Sequence, residues 1–258
     1  MPERDLALLT TAARQAGQIA MQFWQKSPKV WHKDGDEGPV TEADIAVNDM
    51  LHQSLCAARR GYGWLSEEGP DDPSRCDCDH VFIIDPIDGT RAFIAGDSSF
   101  SHSLAVARQG RITAAVVYLP AKDRLYAATK DRPATVNGNP IRCSGRIGIN
   151  GASLLTPKTN LAPVHWIGEP PEVISAFRAS VAYRLSLVAD GAFDGMLSFR
   201  QAWEWDIAAG ALIAERAGAV VTDRTGAALQ FNRANPRSNG LVAAAPGFHA
   251  ALIKRMKS

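Results

Sequence analysis

The sequence predicts a mixed α/β protein in which helices and sheets form layers. Helical periodicity near the N-terminus, short aliphatic runs in the middle and a second strong helix after residue 200 support this prediction. Strands and helices alternate in an order that does not require a purely parallel sheet. We expect one domain over 1–258, with an N-terminal half of about 1–130 and a C-terminal half of about 131–258.

The composition is that of an ordinary globular protein, with 46% hydrophobic and 21% charged residues. The net charge of +1 gives no strong field for a nucleic acid, so we expect no nucleic-acid polymer as partner. No apolar run approaches the roughly 20 residues that cross a bilayer, and no secretory signal is visible, so we expect a cytoplasmic protein without a membrane partner. The four unevenly spaced cysteines do not resemble a disulfide framework.

The N-terminal third predicts two helices joined by a loop. Apolar residues recur at helical spacing over 5–25, and the Pro-, Gly- and Asp-rich stretch 27–39 reads as a loop. A second helix opens at Thr41, with Ile45, Leu51 and Leu55 on its apolar face. Gly61 and Gly63 mark a turn.

The middle of the chain predicts strands. Residues 81–84 are predicted to form a short apolar strand that ends at Asp85-Pro86. Further strand-like runs follow, and Asn137-Gly138 is typical of a hairpin turn. These runs are 102–107, 112–119 and 124–128.

The C-terminal half has fewer clear patterns. The stretch 144–172 is weakly patterned, a helix is predicted at 173–179, and 181–189 fits a strand or a helix. Residues 206–216 predict a strong helix that ends before Gly218, followed by a strand at Val220-Val221.

Several candidate functional residues lie in one segment, Asp85-Pro86-Ile87-Asp88-Gly89-Thr90. Two carboxylates so close repel each other unless a cation or proton lies between them, and Mg²⁺ prefers oxygen ligands. Gly89-Thr90 can begin a helix whose N–H groups face an anion. A tight turn with a helix cap is the structural alternative, because Asp is common there as well.

Three further acidic segments favour the metal-site interpretation. Glu67-Glu68 follows a Gly-containing turn, and Asp206 precedes small residues at a helix start. Asp44 lies three residues after Thr41, beyond the polar loop that holds Lys33, where it could also complete a capping box. The cluster Cys76-x-Cys78-x-His80 has the wrong spacing for common zinc sites.

In this order and spacing, E-E, D-P-I-D-G-T and W-D-x-A-A-G resemble the inositol monophosphatase superfamily over nearly the whole chain. The resemblance implies an αβαβα layered sandwich of the inositol monophosphatase / fructose-1,6-bisphosphatase type. It also implies a Mg²⁺-dependent phosphomonoesterase that acts on a small phosphate ester, with Li⁺ sensitivity and a homodimer as family traits.

The resemblance assigns roles to individual residues. Glu67 and Asp85, with the carbonyl of Ile87, would bind one Mg²⁺. Asp85, Asp88 and Asp206 would bind a second ion, and a third, weaker ion would lie near Glu67. Asp44 would orient Thr90, which positions the attacking water, and Glu67 belongs to the same catalytic group. The expected phosphate-binding residues are Gly89, Thr90, Asp88, Arg200 and Lys33.

The expected substrate follows from positions at which this sequence differs from the motifs of inositol-type family members. Arg91 follows Thr90 where inositol-type members usually carry Thr, and Phe199-Arg200 stands where those members carry an acid that binds ring hydroxyls. With the triplet Glu204-Trp205-Asp206, this resembles the CysQ-like 3′(2′),5′-bisphosphate nucleotidase branch and favours adenosine 3′,5′-bisphosphate, because arginine pairs well with a second phosphate. Arg184 could add a phosphate contact. Inositol 1-phosphate and histidinol phosphate are the alternatives.

Two other classes of protein stay open at this point. Haloacid-dehalogenase-type phosphatases use a D-x-D-G-T signature with a nucleophilic Asp, which would be Asp85 here. The second class is a metal- or ligand-binding protein with a decayed site. We also expect that Asp88→Asn removes most of the turnover and leaves the fold intact, because it deletes a metal-binding charge at an exposed cleft.

Overall fold

The computed structural model describes residues 2–32 and 38–257. Lys33, a predicted phosphate contact, lies outside the described residues. In the described part of the chain the helices are α1 (Pro2–Phe23), α2 (Glu42–Ala58), α3 (Thr90–Ile94), α4 (Val181–Ala189), α5 (Glu204–Arg216) and α6 (Pro246–Arg255). None of them combines the length and the hydropathy that a bilayer crossing requires.

The larger sheet has seven strands in chain order. Its first two strands run parallel, and all later neighbours pair antiparallel. A short antiparallel ribbon of β1 (Val30–His32) and β2 (Pro39–Thr41) precedes this sheet. The seven strands are β3 (Gly63–Ser66), β4 (His80–Asp88), β5 (Ser101–Arg108), β6 (Arg111–Leu119), β7 (Arg124–Thr129), β8 (Thr135–Val136) and β9 (Asn139–Pro140).

The second sheet has five strands in the order β11-β10-β12-β16-β14. The pairs β11–β10 and β10–β12 are parallel, and the others are antiparallel. A separate antiparallel pair, β13–β15, lies at the start of α5. The strands of the C-terminal half are β10 (Ala152–Leu155), β11 (Val173–Ala176), β12 (Gly195–Ser198), β13 (Ala202–Trp203), β14 (Val220–Thr222), β15 (Arg237–Ser238) and β16 (Leu241–Ala244).

The layers follow the order α, β, α, β, α. Helices α1 and α2 cover one face of the large sheet and enclose a core with Phe82, Ile84 and Phe100. Helices α4 and α5 fill the space between the two sheets, where Leu185 and Ile213 are fully buried. Helix α6 covers the outer face of the second sheet. The layered mixed α/β prediction is therefore confirmed.

Close packing between the two middle helices depends on small residues. A Cβ atom at Gly210 of α5 would lie 2.6 Å from the Leu185 side chain of α4, closer than real contacts allow. The small residues after Asp206 therefore serve the approach of two helices.

Most predicted elements agree with the structure. Helix α1, helix α2, the three central strands and helix α5 are confirmed, and Asn137-Gly138 turns between β8 and β9 with φ of 48° and 81°. Residues 181–189, left open, form a helix whose N-cap is Ser180. All four cysteines carry free thiols.

Other predictions were wrong. Residues 173–179 contain a strand, Val173–Ala176, because this segment pairs in parallel with β10. Ile45 is 39% exposed, since the buried face of α2 is formed by residues such as Val47, Leu51 and Leu55. The strand predicted at 81–84 continues through Asp85 to Asp88, because β4 pairs with β5 on both sides of a bulge.

Candidate active site

A bulge in β4 places Asp85 and Asp88 on the same face of the large sheet. Asp85 pairs with Ser103 of β5 and Asp88 with Ser101, so three steps on β4 match two steps on β5. Side chains three apart on a regular strand would face opposite sides. The extra residue reverses the alternation, and Ile87 accordingly packs in the core on the α1 and α2 face. Both carboxylates thus face α4 and α5.

Asp85 is a buried acid without a hydrogen-bond donor. Its residue is 1% exposed, and among the described residues neither carboxylate oxygen receives a hydrogen bond. One oxygen each of Glu67, Asp85 and Asp206 lies within 4.8 Å of the others. Burial, followed by the charges of Glu67, Asp88 and Asp206, raises the pKa of Asp85 well above its usual value. Such a group of acids is costly unless a cation compensates it, so this donor set fits a divalent metal.

Glu67 and Asp206 reach this point from opposite halves of the chain. Glu67 follows β3, and its N–H donates to the carbonyl of Ile84 at 3.2 Å, which continues the pairing with β4. Asp206 lies in the first turn of α5, where the helix dipole favours negative charge. Burial, followed by the charges of Asp88 and Glu67, nevertheless raises the pKa of Asp206 well above its usual value.

Asp88 lines the cavity, but its side chain is buried and bonded to the start of helix α4, an attachment that the sequence did not predict. Its carboxylate accepts hydrogen bonds from Ser180 Oγ at 2.7 Å, Ala182 N–H at 2.6 Å and Val181 N–H at 3.1 Å. Burial raises the pKa of Asp88 to about 6 despite these bonds. Asp88 lines the same cavity as Asp85 while it also holds α4 in place.

Asp44 connects helix α2 to Thr90. Thr90 Oγ1 lies 3.3 Å from Asp44 Oδ1 and 3.1 Å from the carbonyl of Ile87. Asp44 Oδ2 accepts the Thr41 N–H at 2.8 Å, which completes a capping box. Burial raises the pKa of Asp44 to about 6. The cap and the contact with Thr90 therefore coexist on one carboxylate.

Gly89 allows the chain to turn directly after Asp88. Its φ is +95°, in the left-handed region that favours glycine. A Cβ atom there would also lie 3.3 Å from the backbone nitrogen of Ser180. Gly89 and Thr90 both line the cavity. Phosphate binding by their amides stays a prediction.

The cavity has a volume of about 880 Å³ and is lined by residues from both halves of the chain. Four arginines line it: Arg91, Arg184, Arg200 and Arg237. Arg184 is 6% exposed, and burial lowers its pKa while the charges of Asp88 and Asp206 oppose that shift. The other three side chains are exposed. The cavity thus combines a cluster of acids with four arginine side chains, of which only Arg184 is buried.

A stack of flat side chains forms part of the wall. Strand pairing places Arg237 beside Trp203, and the guanidinium carbon lies 3.7 Å from the ring centre of Trp203. Trp203 in turn stacks on Trp205 with ring centres 4.5 Å apart. Sequence reasoning missed Arg237, because nothing around residue 237 marks a pairing with residue 203.

Comparison with known proteins gives a consistent result. A sequence model described as the inositol monophosphatase family matches residues 1–258. An inositol-1-monophosphatase of Mesorhizobium japonicum is 34% identical over 235 residues and covers 86% of each chain. The Nus factor SuhB of Pseudomonas aeruginosa is 32% identical over 241 residues, covering 87% of this chain and 86% of that protein.

Solved structures agree with the sequence relatives. The extragenic suppressor protein SuhB from Bartonella henselae superposes with a TM-score of 0.84 at 27% identity and covers 97% of both chains. An IMPase of Thermotoga maritima gives a TM-score of 0.83 at 27% identity, over 98% of this chain and 96% of that one. The names of these relatives do not support the bisphosphate nucleotidase branch that the motifs suggested.

Proposed function

Because the chain belongs to the inositol monophosphatase family of phosphatases, we propose that it hydrolyses small phosphate monoesters in a Mg²⁺-dependent reaction within a single domain. The observation that carries this proposal is the Asp85 carboxylate, buried and without a hydrogen-bond donor, within reach of Glu67 and Asp206. A buried acid with a purely structural role would be bonded to donors.

The residues that would hold the metal supply oxygen ligands from the bulge of β4, from the residue after β3 and from the first turn of α5. Glu67 and Asp85 with the Ile87 carbonyl form one proposed set, and Asp85, Asp88 and Asp206 form a second. Two to three Mg²⁺ ions are proposed, because carboxylates and carbonyls are the donors that Mg²⁺ prefers. When bound, such ions activate water and stabilise charge on the phosphate and the leaving oxygen.

The protein's own groups would position the reactants. Thr90 Oγ1 is proposed to orient the attacking water, with the Asp44 carboxylate as acceptor for the Thr90 hydroxyl. With a pKa of about 6, Asp44 is mostly ionised at neutral pH and can accept that bond. The amides of Gly89 and Thr90, with Lys33 and Arg200, are proposed to bind the phosphate. Positioning and charge account for most of the catalysis of phosphoryl transfer.

Inositol 1-phosphate is the first candidate substrate. Relatives at 33–34% identity over 86% of this chain carry the name inositol-1-monophosphatase. The proposal transfers that activity to this chain, and an 880 Å³ cavity has room for a sugar-sized ligand.

Adenosine 3′,5′-bisphosphate is the second candidate, and one observation favours it. The arginines of the cavity offer more positive charge than one phosphate requires, and the Arg237–Trp203 stack presents a flat surface. Arginine binds phosphate in a bidentate manner and stacks on aromatic rings, so the pair suits a nucleotide.

Phosphate release from three substrates tests the function: inositol 1-phosphate, adenosine 3′,5′-bisphosphate and histidinol phosphate. We expect Mg²⁺-dependent release, abolished by EDTA, with the highest kcat/KM for inositol 1-phosphate. A higher kcat/KM for the bisphosphate would establish the second candidate. Release from none of them would support the binding-protein alternative.

The haloacid-dehalogenase alternative needs a separate measurement. A phospho-aspartate trapped on Asp85 would overturn the proposed mechanism, in which the acids act without a covalent intermediate. The cytoplasmic location, the Li⁺ sensitivity and the homodimer remain proposals. Li⁺ titration and light scattering are direct tests of the last two.

A further inference from the structure

A histidine lies opposite the bulge that brings the carboxylates together. Between the pairs Asp85–Ser103 and Asp88–Ser101, strand β4 has two residues, Pro86 and Ile87, and β5 has one, His102. This count of two residues against one is what defines a bulge. The backbone of Pro86 has no N–H, so it cannot donate to the strand pairing here.

The imidazole of His102 binds the bulge directly. Its Nδ1 lies 2.5 Å from the carbonyl oxygen of Pro86, and a carbonyl only accepts, so Nδ1 carries the proton. The side chain is fully buried, and burial lowers its pKa to about 4. Among the described residues, Nε2 has no hydrogen-bond partner. The ring is therefore neutral with its proton on Nδ1.

Packing alone does not explain a histidine at this position. Two residues away on either side are Phe100, directly before β5, and Leu104 within it, both fully buried in the apolar core of α1 and α2. The ring also lies 6.4 Å from those of Phe100 and Tyr118, centre to centre. An apolar side chain would fill this space without leaving a buried nitrogen unbonded. The bond to Pro86 is the gain that offsets this cost.

We propose that His102 is a positioning residue for the metal-binding acids, because its hydrogen bond to Pro86 holds the bulge that turns Asp85 and Asp88 to one face. The proposal rests on the proposed function, since it assigns His102 to the same metal site. The His102 side chain acts on the acids through the backbone of the bulge. Without the bond, the carbonyl of Ile87 and both carboxylates would sample other orientations, and their affinity for a divalent ion would fall.

Mg²⁺ binding to the metal-free protein, measured by titration calorimetry, tests this inference. His102→Phe keeps a buried ring and removes the donor, so we expect the Kd for Mg²⁺ to rise on the order of tenfold. His102→Asn places an amide N–H near the position of Nδ1 and should restore most of the affinity. Phe100→Leu is the matched control, because it disturbs the same core without touching Pro86. It should lower Tm and leave the Kd unchanged.

The outcomes separate this inference from the proposed function. If the unmodified protein binds no divalent ion, the proposed function fails and this inference falls with it. If the unmodified protein binds Mg²⁺ and His102→Phe binds it equally well, only the inference is overturned. Nitrogen-15 NMR gives an independent check, since a His102 ring with its proton on Nε2 would contradict the bond to Pro86.

Discussion

Asp85 shows how a single side chain reveals a site. In water its carboxylate would be fully solvated, but here it is 1% exposed and surrounded by other acids. Each unit by which a pKa rises corresponds to about 1.4 kcal/mol against the ionised form. A bound divalent cation would offset this cost, because an opposite charge favours the ionised carboxylate.

Asp85→Asn tests this balance. The amide removes the negative charge, so divalent binding should be lost and turnover should fall by about 10³-fold or more. The free energy of unfolding of the metal-free protein should rise by about 1–2 kcal/mol, because the repulsion is relieved. Urea unfolding in EDTA and phosphate release measure the two effects. Normal turnover in this variant would contradict the proposed metal site.

Thr90 offers a test of positioning at nearly constant structure. Thr90→Val keeps the shape and deletes the hydroxyl that contacts Asp44, so kcat should fall by about 10²-fold with little change in Tm. Thr90→Ser keeps a hydroxyl and serves as the control, with most of the activity retained. Equal activity of the Val and Ser variants would remove Thr90 from the mechanism.

Among the elements, helix α4 is tied to the metal site through its first turn. Asp88 accepts hydrogen bonds from Ser180, Val181 and Ala182, so it acts as a cap supplied from another part of the chain. Burial and these bonds act on its pKa in opposite directions, and burial is the larger influence. Asp88 therefore caps α4 and is also a proposed metal ligand, so a substitution of Asp88 affects both roles.

Comparison of Asp88→Ala with Asp88→Asn separates the capping role from the proposed metal-binding role. Both variants lose the charge, so both should lose most of the turnover. The Ala variant also leaves the donors at the start of α4 without an acceptor, and it should be less stable than the Asn variant by about 1–2 kcal/mol. Denaturant unfolding of both variants at the same pH gives the difference in their free energies of unfolding. The lost charge contributes equally to both and cancels in that difference. Equal stabilities would show that the cap contributes nothing.

In the whole molecule, the site lies where the two halves of the chain meet. Asp44, Glu67, Asp85 and Asp88 come from the N-terminal half, and Asp206 comes from α5. In the metal-free protein, burial raises the pKa values of Asp44, Asp85, Asp88 and Asp206, so its stability should depend strongly on pH and on divalent ions.

The sign of the pH dependence follows from these raised values. Asp44 and Asp88 titrate at about 6 in the folded state against 3.8 normally, so the folded protein keeps protons that the unfolded chain has released. Their stabilising effect is complete below pH 3.8 and is lost as pH rises through 6. In EDTA, we expect the free energy of unfolding to fall by about 2 kcal/mol or more between pH 5 and pH 7.5.

Metal should reverse this trend. At pH 7.5, Mg²⁺ at 100 times its Kd should add about 2.7 kcal/mol, which is about 5 °C in Tm for a chain of this size. Scanning calorimetry at both pH values, with and without Mg²⁺, measures the effect. A metal-free protein that is more stable at pH 7.5 than at pH 5 would contradict this interpretation.

Local sequence determined most of the elements and the identity of the candidate acids. Helical spacing over 5–25, the capping residues around Thr41 and the apolar central strands are short-range patterns, and each agrees with the structure. The motif at 85–90 identified the candidate acids, because the residue type alone specifies the chemistry of a side chain. The family followed from the order of those motifs.

Tertiary structure decided what depends on partners distant in sequence. The helix expected at 173–179 is a strand because β10 is beside it, and Asp88 is buried because α4 begins against it. Arg237 joins the cavity through its pairing with Trp203, and the bulge opposite His102 turns two acids to one face. Strand pairing, burial and side-chain orientation depend on contacts between segments that are distant in sequence. The residues adjacent in the chain therefore do not determine them.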